Sequence, residues 1–175
     1  MANLKKTARR MNKEVRRAGK DVKGILRVHQ FDKLEMETFV PVEYGKVEQD
    51  FIVAIQEHLV RELNIPYQVV MICTGDMGKP DKRQLDIECW VPTQEKYRET
   101  HTSDYMTDFQ ARRLNTTYTD VSGKRQFVYM NDATAFAVGR IMIAILENYQ
   151  QADGSVVVPK VLQQYTGFDV IKPKK

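Results

Sequence analysis

Long apolar runs are missing from this sequence. The longest, residues 135–146, is cut by Gly139 and Arg140, and a membrane-spanning helix needs roughly 20 consecutive apolar residues. With no apolar signal region at the N-terminal end either, the expectation is a cytoplasmic protein. Cysteine is scarce: Cys73 and Cys89 lie in separate strand-like apolar runs without metal-ligand spacing, which argues against a cysteine-held metal and for two buried thiols. There is no Walker-type phosphate loop, no GxGxxG, no HExxH, no CxxC and no internal repeat. A nucleotide, if bound, is therefore gripped by side chains on a sheet rather than by a glycine-rich loop.

What is present is globular material: 175 residues, 42% hydrophobic and 29% charged, enough for one domain with a sizeable core. The net charge of +4 is unevenly spread. Residues 1–27 hold ten Lys or Arg against Glu14 and Asp21, a net of +8, and the rest holds 17 basic and 21 acidic side chains, a net of −4. Within residues 2–18, Leu4, Ala8, Met11 and Val15 recur at helical steps among basic residues. That stretch reads as a basic amphipathic helix or a tail, and either a polyanion or plain solvent suits its charge.

Residues 131–151 organise the rest. Their centre is apolar on nearly every face, the mark of a helix sunk in the core, with Asp132 or Thr134 as its cap. Arg140 interrupts it. A guanidinium cannot stay unpaired in a core, so it must reach a polar cavity or an anionic partner; a structural ion pair and a ligand site fit equally.

Residues 25–40 read as one extended strand, and counting by two puts Arg27, His29, Phe31, Lys33, Glu35 and Glu37 on one face. Such a ladder can grip a phosphate, a ring and an amine in line; the alternative is an exposed strand with cross-strand charge pairs. A helix follows over 46–63, with Val47, Phe51, Ala54, Ile55, His58, Leu59 and Leu63 inward. Strands are expected over 67–73 and 83–91, the latter with Leu85, Ile87 and Cys89 on one side and Asp86, Glu88 and Trp90 on the other. Next comes a polar strand over 96–103, in which Glu99, His101 and Ser103 alternate with Thr100 and Thr102. A helix over 104–115, a hairpin at 122–124, a strand over 126–130, a short strand at 156–158 and a small helix from Pro159 to Gly167 complete the chain. The sum is an α+β fold, a mostly antiparallel sheet covered by helices.

Five stretches taken together, GKDVKGILRVHQFDKLEM, TGDMGKPD, LDIECWVP, KYRETHTSDYMTDFQARRLN and NDATAFAVGRIMIAILENYQQADGSVVVPKVLQQYTG, resemble the catalytic domain of bacterial seryl-tRNA synthetases, which are class II aminoacyl-tRNA synthetases. The likeness runs from Gly19 to Gly167, giving a core over 19–170 between a basic segment 1–18 and a tail 171–175. It implies the class II antiparallel sheet, ATP-dependent activation of serine to seryl-adenylate with Mg²⁺, transfer to tRNA, and the homodimer usual in the family. Position by position, it implies that Arg27 contacts ATP phosphate, Phe31 stacks on adenine and Glu35 helps hold serine. Glu99 and Thr102 would bind the metal and nucleotide phosphates, Thr134 would line the serine pocket, and Arg140 would clamp the γ-phosphate. The chemistry agrees: adenylate formation is in-line displacement at the α-phosphate, which needs positioning and charge neutralisation rather than a protein nucleophile.

The family's N-terminal coiled-coil arm, its first motif with the dimer interface, and its Thr-x-Glu serine-binding segment have no counterpart in this sequence. The second motif of the family opens with Phe-Arg-x-Glu; ungapped counting back from Arg27 puts Asn12 at the arginine and Glu14 at the acid. These departures imply a truncated core with reduced activity and weak tRNA charging. The alternatives are a catalytically inactive nucleotide- or RNA-binding module, or a ligase that charges a carrier protein.

Overall fold

The computed structural model describes residues 24–173; the basic segment 1–18, with Asn12 and Glu14, lies outside the described residues. After a 3-10 turn, Gly24–Leu26, the chain runs β1 (Lys33–Val40), α1 (Gly45–Glu62), β2 (Tyr67–Met71), β3 (Arg83–Val91), β4 (Lys96–Thr107), α2 (Phe109–Leu114), β5 (Thr117–Thr119), β6 (Arg125–Phe127) and β7 (Tyr129–Ala137). It ends with α3 (Val138–Tyr149), β8 (Val156–Val157), α4 (Lys160–Thr166) and β9 (Val170–Ile171). Five strands form one antiparallel sheet in the order β1-β7-β4-β3-β2. This is the α+β architecture that the patterning implied. Among the described residues, no helix is long and apolar enough to cross a membrane.

Both long helices lie on one face of the sheet. Ile52 of α1 packs with Met36, Ala133 and Ala135, while Ile141 and Ala144 of α3 pack with Ile87, Cys89 and Val60. The opposite face carries the polar half of each strand: Glu35 and Glu37 of β1, Asp132 and Thr134 of β7, Thr102 and Asp104 of β4, and Asp86 and Glu88 of β3, paired by register.

Several expected elements are corrected. Residues 131–137 belong to a strand, and the helix begins only at Val138. β7 is an interior strand, with β1 and β4 on its flanks, and its last apolar residues run straight into those of the helix, so periodicity does not mark the change. Asp132 and Thr134 are accordingly strand residues and not caps. The long strand expected over 25–40 is extended only from Lys33; Arg27, His29 and Phe31 precede it in an irregular segment. β4 continues to Thr107, so the helix expected from 104 starts at Phe109. Cys89 is buried as expected, but Cys73 is exposed. The chain stays in a ladder to Ile171, which pairs with Val156.

The expected inward face of α1 holds at Ile55, Leu59 and Leu63, which pack on the core, and fails nearer its start. Val47 and Phe51 are 63% and 58% exposed, and the sheet-facing positions include Gln49 and Gln56, both fully buried. Their amides are employed: Gln49 Nε2 donates to the carbonyls of Ser103 (2.9 Å) and Arg83 (3.2 Å), and Gln56 Nε2 donates to Thr102 O (2.9 Å) and Thr134 O (2.7 Å). The β4–β7 ladder reaches Ser103↔Ala133 and goes no further. Gln56 thus gives two backbone carbonyls a donor where the strands part.

Candidate active site

The parting of β4 and β7 opens a hollow of about 170 Å³ on the polar face. Arg27 and Phe31 reach it from the segment before β1, Glu99 and Thr102 from β4, Thr134 from β7, and Arg140 from α3. Six of the seven expected site residues thus line one space. The seventh, Glu35, sits one step below: it is 9% exposed, faces Thr134 across the β1–β7 pair and forms an ion pair with Lys33, which does line the hollow. A second hollow of about 220 Å³ shares Arg27, Glu99 and Arg140 and adds Tyr97 and Arg98.

The lone charge of the apolar run finds its partner here. Arg140 Nη1 donates to Glu99 Oε1 at 2.7 Å and to the Glu99 carbonyl at 3.2 Å. Thr102 Oγ1 donates to the same Oε1 at 3.3 Å. This meeting depends on an irregularity that period-two counting misses. Ile87 pairs with His101 and Glu88 with Glu99, so Thr100 is one residue too many on β4, a β-bulge. The extra residue moves Glu99 off the face shared by His101 and Ser103, which are buried, and sets it beside Thr102. One carboxylate and one hydroxyl are hard oxygen donors of the kind Mg²⁺ takes when phosphates and water complete its octahedron.

Beneath the hollow the floor is acidic. Glu35, Glu37 and Asp132 bring carboxylate oxygens within 4.8 Å of one another. Asp86, directly opposite Thr102, is pushed up to about 6, chiefly by burial and then by the charge of Glu99. Asp104 is pushed up to about 8 by burial, then by Asp81, Asp132 and Asp86, with Lys33 opposing. The site thus offers guanidinium groups at its rim and carboxyl groups at its base, a polarity suited to a ligand anionic at one end and cationic at the other. Asp86, Asp104 and Asp132 are absent from the expected site residues, although the sequence offers Asp132 as a cap and Asp86 as one side of a strand; the alternation on β3 is the available signal for Asp86.

Residues 5–149 match the tRNA synthetase class II core domain (G, H, P, S and T), and the chain belongs to that family. Within it, the chain is 45% identical to the serine–tRNA ligase of Dictyoglomus thermophilum over 157 residues, covering 90% of this chain and 37% of the relative. It is 47% identical to that of Pyrococcus horikoshii over 162 residues, covering 92% and 36%. The crystal structure of seryl-tRNA synthetase from Pyrococcus horikoshii complexed with ATP superposes with a TM-score of 0.91 at 45% identity, covering 95% of this chain and 38% of that one. The cytoplasmic serine-tRNA ligase of Naegleria fowleri, solved with AMP, superposes with a TM-score of 0.87 at 36% identity, covering 96% and 36%. The chain spans somewhat more than a third of the length of the relatives it matches.

Proposed function

We propose that this chain is a serine-activating catalytic core that binds ATP with Mg²⁺ and forms seryl-adenylate, for transfer to tRNA. The observation that carries the reading is the convergence of Arg27, Phe31, Glu99, Thr102, Thr134 and Arg140 on one hollow, from segments far apart in sequence, in a chain similar to serine–tRNA ligases.

In this reading the Phe31 ring stacks on adenine, and Arg27 and Arg140 neutralise phosphate charge as the bond between the α- and β-phosphates breaks. Glu99 and Thr102 would hold Mg²⁺, which would supply further neutralisation of the phosphates. Glu35, at the acidic base, accepts from the serine ammonium, and Thr134 lines the pocket for the amino acid. The serine carboxylate then attacks the α-phosphorus directly, with no protein nucleophile. Residues 19–170 act as the core, a homodimer follows from the likeness to the family, and cytoplasmic residence follows from the likeness to the cytoplasmic Naegleria relative.

Serine-dependent exchange of pyrophosphate into ATP tests the reading, with Arg140→Ala as control. Exchange that requires serine and falls in the variant is the expected result. Absence of exchange above that control overturns it; salt-sensitive RNA binding indifferent to Arg140→Ala would then favour a binding module.

A further inference from the structure

His101 plays no part in the reaction just described, yet it is 1% exposed and sits under the bulge of β4. Its Nδ1 lies 2.8 Å from the hydroxyl of Thr100, the extra residue of that bulge, itself 2% exposed. Its Nε2 is buried and has no hydrogen-bond partner. Ala135 is the corresponding extra residue of β7: Leu34 pairs with Phe136 and Glu35 with Thr134, and Ala135 is passed over. The ring is braced by Phe136 at 5.6 Å between centroids. A single imidazole therefore stands between two bulges, on the two strands that part to open the hollow. A core histidine held merely by packing would have no reason to bridge both irregularities, and a bulge without a brace is free to slip its extra residue along the strand.

We propose that His101 is a positioning residue that clasps the two bulges together, sharing a hydrogen bond with the Thr100 hydroxyl at Nδ1 and packing its ring on Phe136 beside Ala135. The clasp fixes the spacing of the Glu99 and Thr102 oxygens from each other and from Thr134. As a partner behind the metal-holding residues it acts on affinity through geometry and touches no substrate. The proposal rests on the reading that Glu99 and Thr102 hold a divalent cation carried by the nucleotide.

The test uses Mn²⁺ with ATP as the probe, followed by electron paramagnetic resonance, on His101→Leu, Thr100→Val and His101→Asn, beside binding of ATP without metal. His101→Leu and Thr100→Val are expected to weaken Mn²⁺–ATP binding about 10-fold while metal-free ATP binding changes little, and His101→Asn, which keeps a polar atom beside Thr100, recovers part of the loss. Equal weakening with and without metal, or unchanged binding in both variants, overturns the clasp. If Mn²⁺ fails to enhance ATP binding even in the wild-type chain, it is the metal-site reading that fails. Amide exchange then decides the clasp separately, expected to quicken at Thr100 and Ala135 in Thr100→Val and overturning it if unchanged.

Discussion

A Cβ placed on Gly139 would lie 3.0 Å from the carbonyl oxygen of Ile25, so the bare backbone at the start of α3 is what lets the turn Gly24–Leu26 rest upon it. The Val138 amide, donating to Asp32 O at 3.1 Å, ties down the other end of the same segment. Arg27 and Phe31 lie between these two anchors. The dipeptide Gly139-Arg140 thus presents a guanidinium to the hollow and also holds in place the segment that brings the Phe31 ring to it.

Gly139→Ala puts a methyl group against backbone, which cannot swing aside as a side chain would. The turn must shift, and a misplacement of this order is expected to lower kcat/KM for ATP about 10-fold in pyrophosphate exchange. Serine KM, set on the other side of the hollow, is expected to stay near wild type. Steady-state exchange with each substrate varied in turn reads both.

Arg140→Ala is expected to lower exchange about 100-fold to 1000-fold, the range for losing one preorganised charge contact. Folding is expected to change by less than about 1 kcal/mol, because the Arg140–Glu99 pair is partly open to solvent, with side chains 25% and 46% exposed. Arg140→Lys recovers little, since an ammonium cannot reproduce the planar fork. Exchange rates and urea denaturation of the same preparations separate the two effects.

Gln56→Leu removes the one amide group that serves Thr102 O and Thr134 O. Both carbonyls lose that donor, and a cost of about 1–3 kcal/mol is expected. Urea midpoints at constant slope check it. Gln49→Leu is expected to behave alike, as Gln49 Nε2 serves Ser103 O and Arg83 O.

Asp104 sets a pH dependence. Its carboxyl titrates near 8 in the folded chain against about 3.9 when unfolded, so between those values the folded state binds the extra proton. Stability contributed by this proton is present at low pH and is lost as pH rises through about 8. The melting temperature is therefore expected to fall from pH 5 to pH 8.5, and Asp104→Asn, which keeps the neutral shape, is expected to flatten that fall. A fall as steep in Asp104→Asn as in wild type would place its cause elsewhere.

Much of the site was legible because its residues break local rules. Arg140 in an apolar run demanded a partner, and Glu99 meets it at 2.7 Å. Leu85, Ile87 and Cys89 alternate cleanly with Asp86 and Glu88, and β3 does face its sheet that way, the first three buried and paired toward the helices. Other features left no local trace. Gln49 and Gln56 look like solvent-facing positions until carbonyls from three strands are seen to need donors, whereas Val47 and Phe51 look like core and stand exposed. The acids Asp104 and Asp132 become one group only through the β4–β7 register.

Composition and periodicity by themselves determined that this chain builds helices over an antiparallel sheet and that its arginines, acids and one aromatic ring suit a nucleotide and an amine. They did so because burial and charge act residue by residue. Which residues share a face was decided only in three dimensions. A single extra residue at Thr100 or Ala135 inverts the order of every side chain beyond it, and a strand accepts that residue only where neighbouring strands, a bracing histidine and an overlying helix together satisfy the groups it displaces.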